Sequence, residues 1–169
     1  ITNPSDQIRA RFLETIQEQD QLDKGLLGLK DLPCETADHH RVHLWVNTGL
    51  MTDVMRSLDQ GAEGIGLFRT EVPFLLAEQF PSEEEQYQIY REQLEAFAPK
   101  LVTMRTLDIG GDKSLPYFPI EEANPFLGWR GIRVTLDHPE IFTAQIHAML
   151  RASVGLDNLQ IMLPMISNI

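Results

Sequence analysis

The sequence has little positive charge. Its 169 residues include 14 Lys and Arg against 25 Asp and Glu, which gives a formal net charge of −11. So acidic a chain is poorly suited to general nucleic-acid binding or to an anionic membrane surface, and we expect neither partner. The same shortage makes any cluster of arginines informative, because the chain has few cations to place.

Cysteine and long apolar runs are also scarce. Cys34 is the single cysteine, which excludes an intramolecular disulfide and favours the reducing cytoplasm as location. No apolar run approaches the roughly 20 residues that a membrane-spanning helix requires. The sequence begins at Ile1 without Met and stops at Ile169 just after an apolar run, so we expect it to be part of a longer protein.

The start of the chain differs from the rest. Residues 3–24 have apolar side chains on one face of a predicted helix, which Asn3 can cap and Pro4 can begin. Glycines and a proline then interrupt this pattern. We therefore divide the chain into an N-terminal helix with a linker, residues 1–40, and a domain, residues 41–169.

Within the domain, short apolar runs alternate with helical patterns. We predict strands at 42–46, 64–68, 101–104 and 161–163, and helices at 52–58, 83–97, 125–135 and 138–152. Ser82 and Glu85 predict a capping box for the second helix, while Asn124 and Asp137 are the expected caps of the last two. The alternation indicates parallel β/α units, and strands this apolar are typical of burial on both faces. An open doubly wound sheet and a barrel both fit this pattern.

Two of the predicted strands end in the same pair of residues. The strand at 64–68 is followed by Arg69 and a threonine, and the strand at 101–104 by Arg105 and a threonine. Adjacent strands lie about 4.8 Å apart, so the two arginines can converge where functional groups of parallel β/α folds gather. Guanidinium groups bind phosphate and carboxylate oxygens in pairs. The pattern therefore predicts a clamp for a small polyanion.

Each arginine has an alternative interpretation as a structural ion-pair partner, with Glu71 and Asp108 close in sequence. Their equivalent placement at two strand ends favours the ligand. The glycine-rich loop at 108–113 can approach a ligand with its backbone, but a plain turn is the simpler interpretation.

A third arginine, Arg130, follows Trp129. It can complete the anion site, stack on Trp129, or neutralise the acidic pair at 121–122, and the residues alone leave these alternatives open. The sequence contains no Cys, His and carboxylate spacing that predicts a metal site.

Three longer motifs stand in order along the chain: GAEGIGLFRTE at 61–71, RTLDIGGDK at 105–113 and NPFLGWRGIR at 124–133. Together they resemble the phosphoenolpyruvate-binding barrel domain of Enzyme I, the phosphoenolpyruvate–protein phosphotransferase of the bacterial sugar phosphotransferase system. Within that family, segments 72–74 and 131–137 look closer to the nitrogen-related Enzyme I paralogue. Pyruvate phosphate dikinase and phosphoenolpyruvate synthase share the Arg-Thr-Glu motif, but they are similar over less of the chain.

The resemblance implies an α/β fold, namely the N-terminal half of a TIM (β/α)8 barrel with about four β/α units, preceded by a helix. It implies that Arg69 and Arg105 bind the phosphate of phosphoenolpyruvate. Arg130 belongs to the same pocket, where we expect a catalytic role. The family passes the phosphoryl group to a histidine on a separate domain and then to a small carrier protein of the HPr type, and Mg²⁺ bridges substrate and protein.

The resemblance also implies that the rest of the active site lies outside this chain. The phosphoaccepting histidine is expected upstream, and the Mg²⁺ ligands and a proton-donating cysteine on later strands; Cys34 is not that cysteine. We therefore predict no metal ligand here and an isolated fragment without activity. Because the family's barrel dimerises, we expect a homodimer. The alternatives are a non-catalytic assembly module, or the phosphoenolpyruvate-binding domain of a dikinase- or synthase-like enzyme.

Overall fold

The computed structural model describes residues 3–50, 52–111, 113, 115–120 and 128–168, without the side chains of residues 52 and 53. The chain forms two compact units, residues 1–42 and 43–169. None of the helices in the described ranges is both long enough and apolar enough to span a bilayer.

The first unit contains one long helix, α1, at Asp6–Leu27. Its N-cap is Ser5, whose Oγ accepts a hydrogen bond from the backbone N–H of Ile8 at 3.4 Å. The prediction that Asn3 caps this helix and Pro4 begins it was therefore wrong, because the hydroxyl of Ser5 supplies the capping acceptor. No residue of α1 is buried, and the predicted apolar face is open to solvent.

The second unit alternates strands with helices. Its elements are β1 (Trp45–Thr48), α2 (Thr52–Asp59), β2 (Gly64–Arg69), α3 (Glu71–Leu76), α4 (Glu83–Phe97), β3 (Val102–Arg105), α5 (Ile132–Asp137), α6 (Pro139–Ala152) and β4 (Leu159–Met162). The four strands form one parallel sheet in the order β1-β2-β3-β4. This confirms the predicted parallel β/α architecture.

The core lies between the middle of this sheet and the helices α4 and α6. Its largest buried side chains come from β2, β3, α4 and α6, namely Ile65, Phe68, Tyr90, Leu94, Phe97, Met104 and Met149. The expectation of strands buried on both faces was wrong for β1 and β4, most of whose residues are partly exposed, because they form the two edges of the sheet.

The loop regions differ most from the prediction. The six-residue helix α3 was not predicted; it has Pro73 in its first turn, where a missing N–H is tolerated. Asn124 and Pro125, the predicted start of the helix at 125–135, lie outside the described residues, and the described part of that helix begins only after Gly131.

The predicted cap of α6 was also wrong. Asp137 is the last residue of α5, and its carboxylate accepts a hydrogen bond from the indole N–H of Trp129. His138 takes the N-cap position instead, because Pro139 occupies the first position of α6.

The predicted capping box of α4 is confirmed. The backbone N–H of Glu85 donates to Ser82 Oγ at 3.3 Å, and the backbone N–H of Ser82 donates to Glu85 Oε2 at 2.8 Å.

We expect Ser82→Ala to destabilise the protein by about 1 kcal/mol, because it removes the acceptor of a helix-terminal N–H. Chemical denaturation of the longer protein tests this, with Glu85→Gln as control, since glutamine preserves the box. Equal stability of Ser82→Ala and wild type would contradict it.

Candidate active site

The carboxyl ends of β2 and β3 bring two of the predicted site residues together. Arg69 and Arg105 are directly paired Cα partners in the parallel register of these strands. Both arginines therefore leave the sheet side by side at the edge where ligands bind in parallel β/α folds.

Arg105 is held between two nearly buried carboxylates. Its Nη2 lies 2.6 Å from Glu71 Oε1, and its Nη1 lies 3.1 Å from Asp108 Oδ2. The side chains of Glu71 and Asp108 are only 2% and 6% exposed, against 14% for Arg105. The ion-pair alternative raised from the sequence thus describes part of what Arg105 does.

Ion pairs do not account for all of the guanidinium donors. Among the described residues no carboxylate lies within ion-pair distance of Arg69, and its Nε is buried without a hydrogen-bond partner. The Nε of Arg105 is likewise buried and unpartnered, although the rest of its guanidinium is engaged. A buried N–H without an acceptor costs free energy, so ion pairs among the described residues do not explain either Nε.

Lys113 also belongs to the site, although it was not identified as a site residue from the sequence. Its Nζ lies 2.6 Å from Glu71 Oε1 and 3.6 Å from Asp108 Oδ2. The chain turns back here because Gly110 and Lys113 exchange backbone hydrogen bonds of 3.0 and 3.2 Å. The loop at 108–113 is therefore more than the plain turn that was the simpler interpretation of its sequence. The sequence signal for a charged site residue here was a lysine shortly after a Gly-Gly pair, in the loop that follows a strand.

Arg130 reaches the same carboxylate, with its Nη2 3.2 Å from Asp108 Oδ2. Its ionic partner Asp108 was not among the three alternatives for Arg130, which stay open; residues 121–122 lie outside the described part. Gly110 makes the approach possible, because it has φ +109° and a Cβ there would lie 2.5 Å from Arg130 Cβ. The backbone N–H of Gly131 fixes the segment by donating to Ile109 O at 3.1 Å.

The site has an excess of positive charge. Three described cations contact two carboxylates, and Arg69 lies beside them at the end of β2, so these described residues carry a net charge of +2 in a chain whose total is −11. The cations are Arg69, Arg105, Lys113 and Arg130, and the carboxylates are Glu71 and Asp108. A multiply charged anion complements this balance, whereas a neutral ligand does not.

The same residues do not fit a metal ion. In the ranges that the structure describes, no group of three or more His, Cys, Asp or Glu could hold one. Glu71 and Asp108 are both already engaged by cations. The Mg²⁺ of the sequence prediction has no site among these residues, and its predicted position outside the chain stays a prediction.

A parallel β/α sheet with clustered cations at its strand ends and a glycine-supported loop beside them is typical of α/β proteins that bind anions. Comparison with known proteins identifies the family to which the chain belongs. The sequence profile described as PEP-utilising enzyme, PEP-binding domain matches residues 24–169. The chain belongs to this family.

Relatives of known name agree with this. The chain is 46% identical over its whole length to "Phosphoenolpyruvate-dependent phosphotransferase system" of Salmonella typhimurium and covers 23% of that protein. It is 48% identical, again over its whole length, to "Phosphoenolpyruvate-protein phosphotransferase" of Staphylococcus carnosus and covers 30% of it. The protein of the same name from Bacillus subtilis is 43% identical over 92% of the chain, with 29% of the relative covered.

These comparisons confirm the resemblance to phosphoenolpyruvate–protein phosphotransferases that the motifs indicated. The chain spans between about a quarter and a third of the length of these relatives. Its closeness to the nitrogen-related paralogue stays a prediction.

Proposed function

We propose that this chain is the first half of a phosphoenolpyruvate-binding TIM barrel and that Arg69 and Arg105 bind the substrate's phosphate. The observation that carries the proposal is the direct register of the two arginines at the ends of neighbouring parallel strands, beside Lys113 and Arg130. Phosphoenolpyruvate bears a phosphate and a carboxylate, which suits a site with net charge +2 better than a monoanion would.

The geometry supports a division of roles among the cations. Arg105 is fixed by Glu71 and Asp108, so little conformational entropy is lost when its guanidinium meets a phosphate oxygen. Arg69 and Lys113 lie at the same edge of the sheet, and Arg130 adds a further positive charge beside Asp108. When the bond between phosphorus and the enol oxygen breaks and a bond to a histidine nitrogen forms, these cations stabilise charge on the equatorial oxygens.

The proposal also specifies the architecture of the complete domain as a barrel rather than an open doubly wound sheet. Doubly wound sheets reverse their strand order at the ligand-binding crevice, whereas barrel strands follow one another in chain order. The order β1-β2-β3-β4 without reversal supports the barrel. In this arrangement β1 and β4 would pair with later strands of the longer protein, which closes both edges.

The activity of the longer protein is part of the same proposal. We propose that it is a cytoplasmic, homodimeric phosphotransferase of the nitrogen-related branch that passes the phosphoryl group to its own histidine and then to an HPr-type carrier. Mg²⁺ would be held by residues outside this chain, as would the histidine. The isolated fragment would then bind substrate at most and transfer nothing.

Replacement of Arg69 tests the proposed clamp. We expect Arg69→Ala in the full-length protein to lower kcat/KM for phosphoenolpyruvate-dependent phosphorylation at least a hundredfold, because a transition-state donor is lost. Arg69→Lys should recover part of this, since it keeps the charge but not the planar fork. Arg56 offers a matched control: it is an exposed arginine on α2, and its replacement by Ala should change the rate less than twofold. Wild-type kinetics in Arg69→Ala would contradict the proposal.

The alternative function is a non-catalytic assembly module. The exposed apolar residues of α1 favour it, since a helix with such a face usually packs on something: Ile8, Phe12, Leu13 and Ile16 are 39% to 64% exposed. Calorimetric titration of the fragment with phosphoenolpyruvate and Mg²⁺, together with its mass in solution, separates the two. A dimer that takes up no substrate would favour the module.

A further inference from the structure

We infer that Gln145, a buried residue of α6, is a positioning residue that sets the orientation of the arginine clamp. The inference rests on the proposed phosphoenolpyruvate site. Gln145 is 0% exposed, and its side-chain amide connects Thr70, which directly follows β2, with Leu107, two residues after the end of β3.

The contacts of this amide run to both strand ends. Its Oε1 accepts a hydrogen bond of 2.8 Å from the backbone N–H of Leu107, two residues beyond Arg105. Its Nε2 donates to Thr70 Oγ1 at 3.2 Å, directly after Arg69. The hydroxyl of Thr70 in turn donates to the carbonyl oxygen of Arg105 at 2.7 Å. One buried side chain therefore braces the backbone that carries both arginines.

The orientation of the amide is fixed by its partners. A backbone N–H can only donate, so the atom facing Leu107 must be the oxygen, and the amide nitrogen faces Thr70 and Tyr90. Tyr90 OH receives a hydrogen bond of 3.0 Å from Gln145 and donates one of 3.1 Å to Gln86 Oε1. Gln86 then donates to Pro81 O at 2.8 Å.

Both amide hydrogens of Gln145 and the hydroxyl hydrogens of Thr70 and Tyr90 have an acceptor in this network. Burial raises the pKa of Tyr90 well above its ordinary value, so the phenol keeps its proton throughout the range in which the enzyme works. Buried hydrogen-bond networks favour one geometry, because a flip of the Gln145 amide would set its N–H groups against the N–H of Leu107. The network thus fixes the backbone of β2 and β3 at the point where their arginines leave the sheet.

The consequence for function follows from geometry. Phosphoryl transfer depends on positioning and charge, and a displacement of about 1 Å in a catalytic group can cost about a hundredfold in rate. Loss of the amide would free the backbone at Thr70 and Leu107 and allow Arg69 and Arg105 to drift apart. No substrate contact is removed, so the effect comes through position alone.

The test compares two buried amides at opposite ends of the same sheet. Gln145→Leu removes the brace at the carboxyl ends. Asn158→Leu removes a 2%-exposed amide that donates to Leu94 O and Lys100 O near the amino end of β3. In the full-length protein, both variants should lower the thermal midpoint. Only Gln145→Leu should lower kcat/KM for phosphoenolpyruvate-dependent phosphorylation, by about tenfold to a hundredfold.

A second pair of variants covers the case in which Gln145→Leu does not fold. Thr70→Ser keeps the hydroxyl that joins Gln145 to Arg105 O, whereas Thr70→Val removes it with little change in volume. We expect Thr70→Ser to retain the wild-type rate within about threefold and Thr70→Val to lose it by the same factor as Gln145→Leu. Equal rates in the two Thr70 variants would overturn the inference.

The outcomes separate this inference from the proposed function. If Arg105→Ala is inactive while Gln145→Leu has the same kcat and KM as Asn158→Leu, the positioning role alone is refuted. If Arg105→Ala is as active as wild type, the proposed phosphate site fails and the positioning role fails with it. A rate loss in Arg105→Ala, Gln145→Leu and Thr70→Val, without a comparable loss in Asn158→Leu or Thr70→Ser, supports both.

Discussion

Replacement of Arg105 by alanine should abolish phosphoenolpyruvate-dependent phosphorylation by the full-length protein, with a loss of at least a hundredfold in kcat. Arg105 is the most heavily anchored cation of the site, with contacts of 2.6 Å to Glu71 and 3.1 Å to Asp108. Under the proposed function, its removal takes away a phosphate ligand and leaves two nearly buried carboxylates with fewer cationic partners, so charge in the transition state loses its stabilisation. Single-turnover phosphorylation with labelled substrate measures the loss.

Surface charge offers the control for this variant. Arg151, on α6, pairs with Glu83 and Glu84 at 2.6 and 2.7 Å, but its side chain is 47% exposed. Arg151→Ala removes the same charge from the protein and should change kcat less than twofold, because exposed pairs contribute little. If Arg105 were only a structural ion-pair partner, Arg105→Ala would lower the thermal midpoint while a folded sample kept its rate.

Gly110→Ala should have an effect almost as large, although Gly110 contributes no side chain. An added Cβ would lie 2.5 Å from Arg130 Cβ and 2.7 Å from Trp129 O, so the segment carrying Arg130 must shift away from Asp108. We expect about a hundredfold loss of kcat, comparable with that of Arg130→Ala, because the displaced guanidinium no longer meets the phosphoryl group. The same phosphorylation assay compares the two variants.

Gly155 separates displacement from backbone strain. It has φ +76°, but nothing lies within 4 Å of a Cβ added there, whereas Gly110 has φ +109° in a crowded position. Gly155→Ala should therefore show the stability cost of a positive φ without a change in rate. Full activity in Gly110→Ala would mean that Arg130 does not depend on this loop.

Much of the framework follows from local sequence. The capping box at Ser82 and Glu85 acts over three residues, and the alternation of apolar runs with helical patterns fixes the parallel β/α order. The pairing of Arg69 with Arg105 was predictable because each follows a buried strand directly, and parallel strands in register end at the same edge. The family motifs added the identity of the anion.

The rest of the site depends on contacts between distant parts of the chain. Lys113 reaches Glu71 across 42 positions, and Gln145 reaches Thr70 across 75. Nothing in the local pattern around either residue distinguishes a polar group turned inward from one turned to solvent. Errors at the caps had a similar origin, since Asp137 was a plausible N-cap by residue type until Pro139 set the start of α6.

The central claim is that two strand-end arginines bind the phosphate of phosphoenolpyruvate, and calorimetric titration of the full-length protein tests it most directly. Wild type, Arg69→Ala and Arg105→Ala should be titrated with phosphoenolpyruvate and Mg²⁺ at one ionic strength. The predicted result is a loss of affinity of at least tenfold in each variant, equivalent to about 1.4 kcal/mol or more, with the fold intact by circular dichroism. Unchanged affinity in both folded variants would contradict the claim.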